Sequence, residues 1–304
     1  MTSKLRLLSS TAAALLLLTQ AARASDLPSK VAVPIAPTFA ALPAVDGING
    51  KVEAAGGWSD QQRFGILRRN NLLGEVRGAL SVPLGQSFGL QVDGMLGSHN
   101  GGTVSSGGAH LFWRDPSRAL VGVYGSASHN SRFGGRTYFR VGPEVSLYLD
   151  RFTISGIAGY EWTNSAAAFG AITFGDRGRF FDMVDISYYP TDNIKFSVGH
   201  RYVGGRHAAA LGAEALLSNQ GGVAVAAFVD GRLGERDYKA VMGGIRVYFG
   251  QKEKTLIRRH REDDPTIWLE DEKFSASNAA APKSAKPPCV GCACNVVVLL
   301  PVNQ

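Results

Sequence analysis

From about Gly47 to Phe249, apolar and polar residues alternate with a period of two in one run after another. Asp237 to Phe249 shows the pattern. Val241, Gly243, Ile245, Val247 and Phe249 fall on one side of an extended strand, and Ala240, Met242, Gly244, Arg246 and Tyr248 on the other, because successive side chains of a strand point to opposite faces. Twelve such runs lie near 49–58, 71–82, 88–97, 104–114, 119–128, 136–149, 152–162, 179–189, 194–203, 208–217, 222–231 and 237–249. In the second, Val76, Leu80 and Val82 oppose Glu75, Arg77 and Ser81; in the sixth, Phe139, Val141, Val145, Leu147 and Leu149 oppose Arg140, Glu144 and Ser146. The alternation is weakest in the tenth and eleventh, where Ala and Gly fill both faces. Most runs have about ten residues or more, against a mode of about five or six in globular proteins. About ten is the length a tilted strand needs to cross a bilayer. These features predict an all-β fold: an antiparallel transmembrane β-barrel over 47–249 of twelve strands, with ten or fourteen as neighbouring counts.

The connections carry a second pattern. Those after the second, fourth, sixth, eighth and tenth runs are short and turn-like, as in Pro83-Leu84-Gly85-Gln86 and Asp150-Arg151. Among the others, Ser59 to Asn70, Ser98 to Thr103, His129 to Gly135 and Thr163 to Gly178 are longer and polar. Periplasmic turns and extracellular loops alternate in this way in outer-membrane barrels, and an even strand count then puts both ends of the barrel in the periplasm. Trp58, Trp162 and Tyr202 fall at the long-loop ends, and Phe88, Trp113, Tyr189 and Phe249 at the turn ends. Two aromatic girdles are expected at lipid headgroup level.

Composition agrees with a membrane barrel. The charged fraction of 19% is low and the 37 glycines are many. Residues 1–24 read as a secretory signal: Lys4 and Arg6, an apolar run from Ala12 to Leu18, then Ala22-Arg23-Ala24 before Ser25. Residues 25–46 form a Pro/Ala-rich periplasmic lead-in. The formal charge of +7, less the three cations of the signal, leaves +4, too mild and dispersed for a nucleic-acid partner. After the signal no stretch is apolar for the ~20 residues a membrane helix needs.

Signal, lead-in (Ser25-Asp26-Leu27-Pro28), Cys-free amphipathic strands and the terminal Val247-Tyr248-Phe249 together resemble the porin-like outer-membrane β-barrel proteins of Gram-negative bacteria, the lead-in most closely the alphaproteobacterial ones. The resemblance covers residues 1–249. It implies that Gly244, Val247 and Phe249 are read as an assembly signal by the barrel-assembly machinery, that outer-membrane lipid surrounds the barrel, and that the protein resides in the cell outer membrane. Here the pattern departs in two respects: Met242 stands at a usually polar position, and 55 residues follow Phe249.

The expected lumen-facing charges are Glu75, Arg77, Asp93, Arg140, Glu144, Glu161, Asp185, Lys195, Arg201, Glu214 and Arg246. Their signs mix, with Glu75 and Arg77 expected beside Asp93 and Arg140 and Glu144 beside Glu161. A selective filter more often carries one sign, so these residues are expected to form interior ion pairs or to line a narrow pore without ion preference. The leading function is therefore non-enzymatic: passive passage of small solutes, or structural support of the membrane.

A second reading is enzymatic. His129-Asn130-Ser131 has the H-x-S spacing of outer-membrane lipid hydrolases, in which Ser attacks a lipid ester and His takes its proton. On a strand, i and i+2 share a face. As a loop, the same stretch is a polar tip, and no third, orienting residue is evident. His99, His110, His200 and His207 lack the spacing of a metal site, and neither metal nor cofactor is expected.

Residues 250–304 change character and are expected as a disordered periplasmic tail. Lys252 to Lys273 is densely charged around Ile267-Trp268-Leu269, and Ser275 to Pro288 is a linker. Cys289, Cys292 and Cys294 follow, the only cysteines in the chain. Three ligands leave a tetrahedral metal site incomplete, which favours a local or intermolecular disulfide. A third functional reading follows: a barrel anchor whose tail contacts the cell wall or a periplasmic partner.

Overall fold

The computed structural model describes residues 42–63, 67–99, 102–131, 135–163, 168–169, 172–173, 178–235, 238–250 and 253–271. The signal, most of the lead-in and the three cysteines lie outside them.

The strands are β1 (Asn49–Arg63), β2 (Leu67–Leu84), β3 (Phe88–His99), β4 (Gly102–Asp115), β5 (Ala119–Asn130), β6 (Arg136–Leu149), β7 (Phe152–Thr163), β8 (Ala168–Phe169), β9 (Ile172–Thr173), β10 (Arg179–Thr191), β11 (Ile194–Val203), β12 (Arg206–Gln220), β13 (Val223–Gly234) and β14 (Tyr238–Phe249). Apart from the β8–β9 hairpin, they form one closed antiparallel barrel of twelve strands in which each pairs with its sequence neighbour and β14 returns to β1. Closure removes the open edges that hydrocarbon cannot solvate. Gly50 lies opposite Phe249 across the seam, so the barrel begins and ends at the turn end.

Side chains sort as the alternation requires. Val76, Val123, Val145, Ile186, Val198 and Ile245 project outward and are about half exposed, whereas Glu75, Arg77, Tyr124, Glu144 and Arg201 point inward and are buried. The outer face is an apolar belt that water would not tolerate and lipid does. Trp58, Trp113, Trp162, Phe88 and Phe249 project from its two ends.

Three departures have local causes. Tyr189 is not in the girdle: Ile186 and Tyr188 face out, which turns Tyr189 into the lumen, where it is 1% exposed. The described residues of the expected loops at 59–70 and 98–103 are strand continuations; β1 and β2 stay paired out to Arg63 and Leu67, carrying the polar sequence up in paired strands. β12 alternates buried and exposed from Arg206 to Leu211 despite Ala on both faces, and a register shift between Leu216 and Ser218 inserts one residue near its turn end, where the period of two breaks.

Gly244 has a steric role at the seam. A Cβ there would lie 2.1 Å from the Ala54 carbonyl oxygen, and one at Gly57 2.1 Å from that of Val241. Each of the two seam strands thus carries a glycine where the other's backbone passes closest.

The chain does not leave the barrel after Phe249. Gly250 turns it back at φ +75°, and a short helix, α1 (Leu256–Glu262), and a single 3-10 turn (Leu269–Asp271) follow. Within the expected tail, residues 254–271 pack into the lumen and its turn-end mouth and are mostly buried, with Arg258 and Thr266 exposed.

Candidate functional site: a lumen occupied by the chain's own tail

The occupying segment rises from the turn end. At that mouth α1 touches three turns: the Ile257 amide donates to the Asp192 carbonyl at 3.0 Å, Arg261 donates to the Asp150 carbonyl at 2.7 Å, and Arg259 donates to the Asn219 side chain at 2.7 Å. His260 sits between the hydroxyls of Tyr189 at 2.9 Å and Tyr248 at 3.0 Å. Lys254 reaches Asp263 at 2.7 Å and Asp46 at 3.0 Å, tying the lead-in to the tail.

Higher up, Asp264 pairs with Lys51, and Arg114 donates to the Asp263 carbonyl at 2.9 Å. An apolar layer follows. Ile267 and Leu269 pack with Ala79, Met95 and Val104. Trp268 is buried with Tyr124, Ile157, Phe181, Met183, Val203, Ala208 and Tyr238. Inward apolar residues on this scale would be out of place in a water-filled pore and need an apolar occupant; the Trp268 indole supplies one.

Two carboxylates close the segment. Glu270 lies 2.7 Å from Arg77 and 2.6 Å from Arg232. Asp271 lies 2.6 Å from Arg201 and 2.7 Å from Arg232. Three guanidiniums from three strands thus converge on one turn of the tail. Charge-assisted bonds of this kind are short and directional, and burial on both sides keeps them from being screened as surface pairs are.

The expected lumen charges all lie on the inner wall. Arg77 reaches Glu53 at 2.7 Å and Glu75 at 3.4 Å, Arg140 reaches Glu161 at 3.1 Å, and Arg201 reaches Asp185 at 2.8 Å. Arg246 bonds Glu53 at 2.8 Å and also Glu214, which Lys195 approaches at 3.3 Å. Asp93 does not pair with Arg77. It meets His110 Nε2 at 2.8 Å, while Glu144 meets the other ring nitrogen at 2.8 Å, so His110 bridges two carboxylates inside the wall. Lys51, Glu53, Arg114, Asp230 and Arg232 also belong to the network and escaped sequence reasoning. Their signal was present: each falls on the polar side of its own alternation.

A cavity of about 90 Å³ remains within the lumen, lined in part by Ser146, Thr153, Ser155, Ser187 and Ser197. That is room for a few waters. The three cysteines and the assembly machinery's contacts lie outside what the described residues contain. Gly244, Val247 and Phe249 stand opposite Ala55, Val52 and Gly50 of β1.

His129 and Ser131 project outward at the long-loop end, both exposed. They are not hydrogen-bonded to each other. The Ser131 hydroxyl accepts from the Thr103 amide at 2.9 Å, and His129 Nδ1 lies 3.2 Å from the Thr137 hydroxyl on the adjacent strand. Thr137 thus occupies the place of an orienting third residue. Among the described residues no group of three or more His, Cys, Asp or Glu side chains is arranged to hold a metal.

No family model and no curated protein matches the sequence. Among solved structures, the chain is similar to an outer membrane channel from Pseudomonas putida F1, at 12% identity over 71% of this chain and 99% of that one, with a TM-score of 0.48. It is similar to the translocator domain of the autotransporter NalP from Neisseria meningitidis, at 14% identity over 67% and 88%, TM-score 0.45. It is also similar to the outer membrane phospholipase of Salmonella typhi, at 13% identity over 71% and 94%, TM-score 0.44.

Proposed function

We propose that the protein is an outer-membrane β-barrel of porin-like architecture whose lumen is closed in its resting state by residues 254–271, and that passage of small solutes requires that segment to move. The apolar belt and the export signal support the location; outer-membrane lipid and the barrel-assembly machinery are the partners this implies. The observation that carries the reading is the Trp268 layer together with the arginine grip on Glu270 and Asp271, which fill the lumen between them. Wall charges of both signs are paired, which supports passage without strong ion preference. In planar bilayers the full-length protein is expected to conduct little, and deletion of residues 251–304 to give stable open events. A freely conducting full-length protein would remove the closure; silence of a correctly folded truncated barrel would leave the structural role.

The contact between His129 and Thr137 favours a second reading, an outer-leaflet lipid ester hydrolase. With Nδ1 held by Thr137, the other ring nitrogen is free to take the Ser131 proton, and both groups face lipid. Purified protein would then release fatty acid from phospholipid or lipid A esters, and Ser131→Ala would abolish the release. Equal rates for the two proteins would dispose of this reading.

A further inference from the structure

The direction of the occupying segment has a topological consequence. Its contacts climb the wall in order. Lys254 and Ile257 bond at the turns, Asp264 pairs with Lys51 near the start of β1, Pro265 accepts weakly from Gln91, and Asp271 reaches Arg201 and Arg232. Arg201 is two residues from the long-loop end of β11, and Arg232 two residues from that of β13. At about 3.4 Å per residue, Asp271 lies only a few residues of extended chain below the rim. The rim is low there, since β11 and β12 are joined by Gly204-Gly205 alone.

The way back is obstructed. A returning chain would have to pass the layer around Trp268 and leave through a mouth covered by α1 and its bonds to three turns. We propose that residues 254–271 are a thread through the barrel, entering at the turn end and leaving at the long-loop end. The segment bearing Cys289, Cys292 and Cys294 is then presented on the long-loop face. The barrel acts as an anchor holding part of its own chain across the membrane, with Arg77, Arg201 and Arg232 as the catch that keeps the thread from sliding.

The test uses the full-length protein in intact cells and a membrane-impermeant maleimide after mild reduction. Two reporters calibrate the sides in a Cys289→Ser/Cys292→Ser/Cys294→Ser background: Glu235→Cys, exposed at the long-loop end, and Ser117→Cys, exposed at the turn end. The native cysteines are expected to label in intact cells at a rate close to that of Glu235→Cys and at least tenfold faster than Ser117→Cys. Labelling that follows Ser117→Cys instead overturns the thread and leaves the tail on the turn side, where a cell-wall or periplasmic contact becomes its role. Trypsin reads the same question without thiols: cleavage after Lys283 from the Glu235 side, releasing the cysteine peptide, supports the thread, and cleavage only from the Ser117 side overturns it.

Discussion

Asp271 is fully buried between two guanidiniums, and its charge decides how firmly the tail is held. Breaking a buried ion pair by removing one partner typically costs about 3–5 kcal/mol, because the partner is left charged and unpaired. Asp271→Asn leaves Arg201 with Asp185 at 2.8 Å and Arg232 with Glu270 at 2.6 Å. Each guanidinium is then one carboxylate short rather than unpaired, so the cost should fall below that range. Arg232→Ala leaves Asp271 with Arg201 at 2.6 Å and should cost less. The expected order of conductance in single-channel records is Asp271→Asn above Arg232→Ala above wild type. The double variant should exceed Asp271→Asn by less than the Arg232→Ala increment, since the two residues share an interaction. Independent, additive effects would mean that the catch is not a unit. His110 behaves differently: its partners Asp93 and Glu144 are on the wall itself, so its loss bears on the barrel rather than on the tail.

At the level of elements, the period of two carried most of the fold, because each strand meets lipid on one side and a crowded interior on the other. That is why β2, β3, β6 and β11 were legible residue by residue, and why the inward side of Arg77, Glu144 or Arg201 follows from local pattern alone. What resisted reading depends on distant partners. Lys252 to Lys273 looks like a solvated charged run, since a dense mixture of charges is usually left in water. Its residues 254–271 are largely buried because Arg77, Arg201, Arg232 and Lys51, from four strands, meet its carboxylates. Ile157, Phe181 and Met183 are apolar on the inner side, which the expectation of a polar lumen overlooked; they become intelligible only with Trp268 against them. The Ile267-Trp268-Leu269 island was the available clue, an apolar triplet without a period of its own. Loop lengths misled at 59–70 because polar composition does not distinguish a loop from a hairpin that rises clear of the bilayer.

At the scale of the whole molecule, closure and filling are coupled through the chain's order. The seam strand β14 immediately precedes the occupying segment, and Tyr248, next to its last residue, bonds both Glu214 on the wall at 2.6 Å and His260 in α1. A barrel that fails to bring β14 against β1 therefore loses its anchor for the tail as well as its wall. The seam depends on close backbone approach at Gly244, where any Cβ would sit 2.1 Å from the Ala54 carbonyl oxygen. Gly244→Val should push the strands apart over several of the pairs from Gly50–Phe249 to Asp60–Lys239, exposing unpaired backbone that lipid cannot satisfy. Unheated Gly244→Val in SDS electrophoresis is then expected to run at the mobility of the heated, unfolded chain, with α1 accessible to protease. Gly243→Ala, one residue away with 3.6 Å to its nearest neighbour, should keep the folded mobility. Folded mobility for both variants would show that the seam tolerates a side chain at 244 and would overturn the steric role of the glycine there.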